Sequence, residues 1–291
     1  MKWSKSLLTI GASLIAVAIV TQCGNNEVKI VRIFGSTTIE PFMKRVAEEY
    51  GKTHNLGFSI KAVGSRSGID SLIDGACDIT MSSMEISPEQ ITYAKKKTVS
   101  LKPFLLGYDV IVPVVHPSNT VTDITFEKLK EVFNKKLTNW SALGGVDTII
   151  EVVDRSDASG TYAVWHHYIA PPMTSEERVT IRPSNSSVLA YVSEHTNAIG
   201  YVSGAYLNPE VKPLKLDGID IAESDSMLSE YHLKRPLYLY VDENRFNDYL
   251  KKFIIFLIIS DRGRALLRES GFFSDFSISP LEKAIENISK R

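Results

Sequence analysis

Four short segments of this chain place small hydroxyl residues and glycine where a β-type run gives way to a helical spacing: Gly35–Thr38, Gly64–Gly68, Ser82–Ser83 and Ser156–Thr161. Each would offer free backbone N–H groups, hydroxyl donors and the positive end of a helix dipole. A helix start of that kind is a ready site for an anion. Arg155 directly precedes the fourth segment. Its planar, permanently charged guanidinium suits two-pronged contact with an oxyanion, and Asp157 could hold it in place. Taken singly, Ser, Thr and Gly are what helix caps and tight turns use, and Arg155 with Asp157 reads equally as a surface ion pair of little worth. Four such segments in one chain, one of them beside an arginine, shift the weight toward neutral donors gathered around a tetrahedral oxyanion.

Candidates for catalysis are few. The six histidines form no HExxH motif and no Cys/His cluster of metal-binding spacing, so no metal and no cofactor is expected. His166 and His167 are adjacent on an expected helix and point about 100° apart, so they read as structural or exposed side chains. Gly64-Ser65-Arg66-Ser67-Gly68 departs from a nucleophile elbow because Arg66 takes the central serine's place. There is no Walker A sequence. Trp140, Trp165 and the 12 tyrosines read as core or rim. A secreted phosphatase or acyl-transfer hydrolase needs an activated nucleophile or metals, and stands only as an alternative.

The elements that must position these segments follow a strand, loop, helix rhythm. Val28–Phe34 and Phe58–Val63 read as strands, and so does the shorter Cys77–Met81. Phe42, Val46 and Tyr50 are helically spaced, and Thr37 with Glu40 has capping-box spacing. Ser87-Pro88 starts a helix with an N-cap serine and a proline at the first position. Asp109–Val115 is a further strand, which Pro113 argues against being central throughout. Ile149–Val153, Ile199–Ser203 and Leu237–Val241 complete the strands, with helices at Tyr162–Ile169 and Phe246–Ser260. The repeated unit predicts an α/β fold with a largely parallel sheet, in which such loops gather at the carboxyl ends of the strands.

With 291 residues, 44% hydrophobic and 23% charged, the composition is globular and long enough for two cores. A formal net charge of −1 gives no global case for nucleic-acid binding. Lys2 and Lys5 precede a 14-residue uncharged stretch, Leu7–Val20, which suits a secretory signal better than a membrane span. It ends at Val20-Thr21-Gln22-Cys23, which resembles a bacterial lipobox. The expectation is a signal peptide over residues 1–22, a lipidated Cys23 and a tether over residues 23–30, with the body held outside the cytoplasm at the membrane. Gln22 departs from the small residue normal before that cysteine. Removing Lys2 and Lys5 from the 33 basic residues leaves 31 against 34 acidic ones. Phe253–Ile259 is too short to cross a bilayer and reads as buried helix.

GSTTIEPF (35–42), VGSRSGIDSLIDGACDITMSS (63–83), DRSDASGTYAVW (154–165) and NAIGYV (197–202) resemble the phosphate-binding protein of the high-affinity ABC-type phosphate importer, in order, over about Val28 to Phe273. The resemblance implies a two-lobed, venus-flytrap fold that closes on inorganic phosphate, with residues 31–109 and 238–291 in one lobe and 110–237 in the other. Two crossover strands, near Asp109–Val115 and Leu237–Val241, would form the hinge. Matched motif by motif, the ligand contacts would be Thr37, Thr38, Ser65, Ser83, Arg155, Ser159, Gly160 and Thr161. Asp157 would orient the arginine, and Ser82 would be a further supporting residue. Where some family members have an aspartate that accepts the proton of hydrogen phosphate, this chain has Ser83, and where many relatives continue with arginine it has Met84. Arg66 is the expected substitute for that charge. The implied partners are a membrane permease and its ATPase, with the binding protein a monomer. A sulfate binder and an adhesin that has kept the fold without the ligand are the other readings.

Overall fold

A computed structural model describes residues 28–169, 179–221 and 230–273. The first strand-helix units are β1 (Lys29–Gly35), α1 (Glu40–Gly51), β2 (Leu56–Lys61), α2 (Ser65–Ile73), β3 (Ile79–Ser82) and α3 (Pro88–Lys96). The chain then crosses over on the 15-residue strand β4 (Leu101–Val115). Beyond it come β5 (Asp123–Ile124), α4 (Phe126–Phe133), β6 (Glu151–Arg155), α5 (Gly160–Tyr168), β7 (Thr180–Arg182), α6 (Asn185–Glu194), β8 (Ala198–Ser203), β9 (Lys212–Pro213) and β10 (Lys215–Leu216). The chain returns on β11 (Lys234–Asp242), and the last described helices are α7 (Asp248–Ile259) and α8 (Asp261–Glu269).

One sheet runs β2-β1-β3-β11-β4-β8-β6-β7, with β9 also paired to β4, and β5 pairs separately with β10. β1 is parallel to β2 and β3, and β6 is parallel to β7 and β8. The two long strands lie antiparallel to each other between these parallel groups, with Arg235 directly opposite Asp109. Helices pack on the sheet to give two main cores. One gathers Ile33, Phe42, Val46, Leu106, Leu237 and Phe253. The other gathers Val110, Val112, Phe133, Trp165, Tyr201 and Leu233. This is the two-lobed binding-protein architecture, and both long strands change cores along their length: β4 between Leu106 and Val110, β11 between Leu233 and Leu237. Trp140 and Trp165 are fully buried, and Phe253–Ile259 lies in α7.

As Pro113 implied, β4 is not central throughout, although it lies inside the sheet. The proline's carbonyl accepts from Leu214 N–H on the side where β11 pairing has stopped at Val110 and β9 pairing begins only at Val114. The missing N–H therefore faces a gap in the ladder and costs no sheet bond. The expected capping box at α1 does not form. Its N-cap is Ile39 with no side-chain cap, and Glu40 instead pairs with Lys44. The Thr37 hydroxyl is thereby free to take part in a site. The capping box at α3 does form, between Ser87 and Gln90. The leader and Cys23 lie outside the described residues, and among those residues no helix is long and apolar enough to cross a membrane.

Candidate functional site

The loops after β1, β3 and β6 and the start of α2 meet where the two lobes touch. Gly64 takes φ +88°, and a Cβ there would lie 2.6 Å from the Ala158 carbonyl oxygen. At Gly160 a Cβ would fall 2.4 Å from Ser83 Oγ and 2.6 Å from Ser65 Oγ. Glycine at these two positions lets the backbone press against a carbonyl at Gly64 and against two serine hydroxyls at Gly160. Ser65, Ser83 and Gly160 are thus brought together from opposite lobes.

Arg155, at the end of β6, is 1% exposed. Its Nη1 donates to Asn185 Oδ1 at 3.0 Å, and its Nη2 donates to Thr37 Oγ1 at 3.2 Å and to the Pro183 carbonyl at 3.0 Å. None of these partners is a carboxylate, and its Nε is buried with no partner. Burial first, and the neighbouring Arg235 cation as well, bring the Arg155 pKa down to about 10. A buried cation left this way is costly, and a bound anion would relieve both its charge and its unsatisfied donor.

The hydroxyls around it are oriented by their neighbours. Ser159 caps α5 and accepts from the N–H groups of Thr161 and Tyr162. Ser36 Oγ accepts from Thr38 N–H at 3.1 Å and donates to Ser83 Oγ at 3.1 Å. Ser65 Oγ accepts from Ser83 N–H at 3.1 Å and lies 3.3 Å from Ser83 Oγ. Thr38 Oγ1 and Thr161 Oγ1 stand 3.5 Å apart across the cleft. Tyr206 donates from the second lobe to the Thr37 carbonyl at 2.5 Å, and its pKa is pushed up mainly by burial.

Two supporting residues sit elsewhere than expected, and a third stays within its own loop. Asp157 is exposed, and Arg155 is held by Asn185, Thr37 and Pro183 instead. The guanidinium lies fully inside the protein with Asn185 buried beside it, whereas the Asp157 carboxylate stands exposed at the loop tip. Arg66 is exposed on the outer side of α2, where its carbonyl accepts from Gln90 Nε2. Ser82 closes a local turn, donating to the Met84 carbonyl and accepting from Met84 N–H.

Sequence reasoning missed the second buried cation. Arg235 on β11 is 1% exposed and donates to Asp109 Oδ2 from Nε at 3.0 Å and from Nη2 at 2.7 Å. It also reaches Thr161 Oγ1 through Nη1 at 2.9 Å and Thr38 Oγ1 through Nη2 at 3.1 Å. Burial raises the Asp109 carboxyl, opposed by Arg235 and by the Ser203 hydroxyl, which donates to Oδ1 at 2.7 Å. Lys234-Arg235 ahead of an apolar strand carries no signal of burial. Asn185, also missed, reads in sequence as an ordinary first residue of a capped helix. Behind Arg155, Asp154 accepts from the Arg155 N–H, from the Tyr201 hydroxyl and lies 2.9 Å from His166 Nε2. His166 is therefore a buried structural partner, while His167 is exposed. Among the described residues no group of three or more His, Cys, Asp or Glu could hold a metal ion.

The family model described as the PBP superfamily domain matches residues 20–262. The phosphate-binding protein PstS of Borreliella burgdorferi is 27% identical over 276 residues, covering 89% of this chain and 95% of that protein. PstS of Bacillus subtilis is 26% identical over 242 residues, 82% of this chain and 79% of that one. A Clostridium perfringens crystal structure, described as a phosphate ABC transporter substrate-binding protein with bound phosphate, aligns with a TM-score of 0.77 at 29% identity. It covers 85% of this chain and 100% of that chain.

Proposed function

This chain belongs to the PBP superfamily, and from that premise we propose that it captures inorganic phosphate between its lobes and delivers it to the permease and ATPase of an ABC importer. The observation that carries this reading is Arg155, a buried guanidinium with no carboxylate partner and an unpaired Nε, bonded to the Thr37 hydroxyl across the lobes and linked through Asn185 to Thr38. The relatives named as phosphate-binding proteins support it, as does the phosphate-bound structural neighbour.

In this reading Arg155 supplies the charge, and Thr37, Thr38, Ser65, Ser83, Ser159, Gly160 and Thr161 supply donors. Charge-assisted bonds from preset donors are the strong ones. Because the contacts come from both lobes, the ligand binds the closed form better and draws the equilibrium toward it. Closure is then the state a permease can recognise. We take residues 31–109 and 238–291 as one lobe and 110–237 as the other. Residues 1–22 are read as a signal peptide and Cys23 as the lipidated anchor of an extracytoplasmic monomer with no catalytic role. Mass spectrometry of the membrane fraction tests the anchor: a diacylglyceryl group on Cys23 is expected, and an unmodified Cys23 would remove it.

Calorimetric titration of the mature chain, refolded from denaturant to strip ligand, tests the function. One-to-one phosphate binding is expected. Silence toward phosphate from a folded protein would overturn the reading, and an equal response to sulfate would make it a general oxyanion binder.

A further inference from the structure

Resting on that reading, a second question is why hydroxyls that can both donate and accept would serve an anion reliably. Guanidinium N–H groups donate and never accept, and a hydroxyl carries one donor and two acceptor positions. Bonds from such donors therefore fix which way a hydroxyl proton points. Thr38 Oγ1 receives Arg235 Nη2 at 3.1 Å and Asn185 Nδ2 at 3.1 Å. The Asn185 amide is itself oriented, because its Oδ1 receives Arg155 Nη1 and the Ser203 N–H. Both acceptor positions of Thr38 are filled, so its proton is left to be donated, with Thr161 Oγ1 at 3.5 Å beside it. Thr161 Oγ1 receives Arg235 Nη1 at 2.9 Å.

We propose that Arg235 is a positioning residue which holds one hydroxyl from each lobe, Thr38 and Thr161, as a donor toward the bound oxyanion. Its location gives this a second consequence. Arg235 lies on β11 directly opposite Asp109 on β4, and these are the two strands that pass between the lobes. A single side chain on the crossover strands thus reaches the ligand loops of both lobes, and it can do so fully only when they are closed. Asp109 takes up its charge, with Oδ2 receiving two guanidinium bonds and Oδ1 the Ser203 hydroxyl. Arg235 accordingly contributes direction where Arg155 contributes net charge. The ligand this selects is one with unprotonated oxygens at the Thr38–Thr161 corner.

The test replaces the pair by neutral amides of similar size, Asp109→Asn with Arg235→Gln, which leaves no unpaired buried charge. Phosphate titration is run on wild type, Thr161→Val, the double variant and the triple variant, with thermal unfolding as a control for folding. The double variant is expected to bind phosphate on the order of tenfold or more weakly. Thr161→Val is expected to cost wild type about tenfold but the double variant far less, because the two act through one network. Wild-type affinity in the double variant, or an equal cost of Thr161→Val in both backgrounds, would overturn the proposal. Should the double variant fail to fold, Arg235→Lys decides: it keeps the ion pair but cannot reach both threonines, so undiminished affinity there would overturn it too. Absence of phosphate binding by the wild type itself is the separate result that removes the proposed function, and this inference with it.

Discussion

Two guanidiniums lie in the cleft, each 1% exposed, yet their surroundings are opposite. Arg235 has a buried carboxylate that accepts from it twice. Arg155 has an amide, a hydroxyl and a backbone carbonyl, with one N–H unpaired. The same chemical group therefore does two jobs. The compensated one belongs to the structure of the empty protein, and the uncompensated one is a liability until an anion arrives. Affinity and stability should separate accordingly when each is removed.

The largest effect is expected at Arg155. Arg155→Met should weaken phosphate binding by on the order of 1,000-fold, about 4 kcal/mol. Thermal unfolding of the same ligand-free variant should occur no lower than in wild type, since an uncompensated buried charge has been removed. A fall in melting temperature as large as the loss in affinity would erase the contrast between the two arginines.

Arg235→Met should act on folding as well as on affinity, at a cost of about 3–5 kcal/mol in stability, because it strands the Asp109 carboxylate inside the protein. The pH dependence has a defined sign. Burial already raises the Asp109 carboxyl, and losing Arg235 raises it further, so the folded protein holds that proton to higher pH than the unfolded chain. Stability of the variant should therefore fall as pH rises from the ordinary carboxylate range to the raised pKa, and recover on acidification. Melting curves that are flat from about pH 5 to about pH 7.5 would contradict it.

Gly160→Ala should rank third. Its Cβ has no room beside Ser83 and Ser65, so the closed form is penalised while each lobe stays intact. About tenfold weaker phosphate binding is expected, together with a larger radius of gyration in the presence of phosphate. Unchanged scattering would show that the lobes close without that contact. The smallest effect belongs to Arg66→Ala, expected to stay within about twofold of wild type because the side chain is exposed. A strong loss would place a third cation at the site and spoil the two-arginine account.

What could be read from sequence was whatever is encoded locally. The strand-loop-helix rhythm, the hydroxyl-rich loops and Arg155 all signal themselves within a few residues. What could not be read depends on distant parts of the chain. Arg235 is 197 positions from Thr38 and 126 from Asp109, and only the return of β11 beside β4 brings them together. Adjacency in sequence misled at Asp157 and Arg66, where charges close to the loops point to solvent. Thr37 shows the reverse case. Its spacing from Glu40 fits a cap, yet its hydroxyl accepts from Arg155 and its carbonyl from Tyr206.

The glycine contacts across the cleft also set a size limit. With Gly64 against the Ala158 carbonyl and Gly160 against Ser65 and Ser83, the lobes meet at that seam with no room for one added methyl group. A sugar phosphate or nucleotide carries the same charged head as orthophosphate but would wedge the lobes open there. Rejection of esterified cargo would then follow from close packing at the seam, and would be unaffected by the salt concentration that tunes attraction to Arg155.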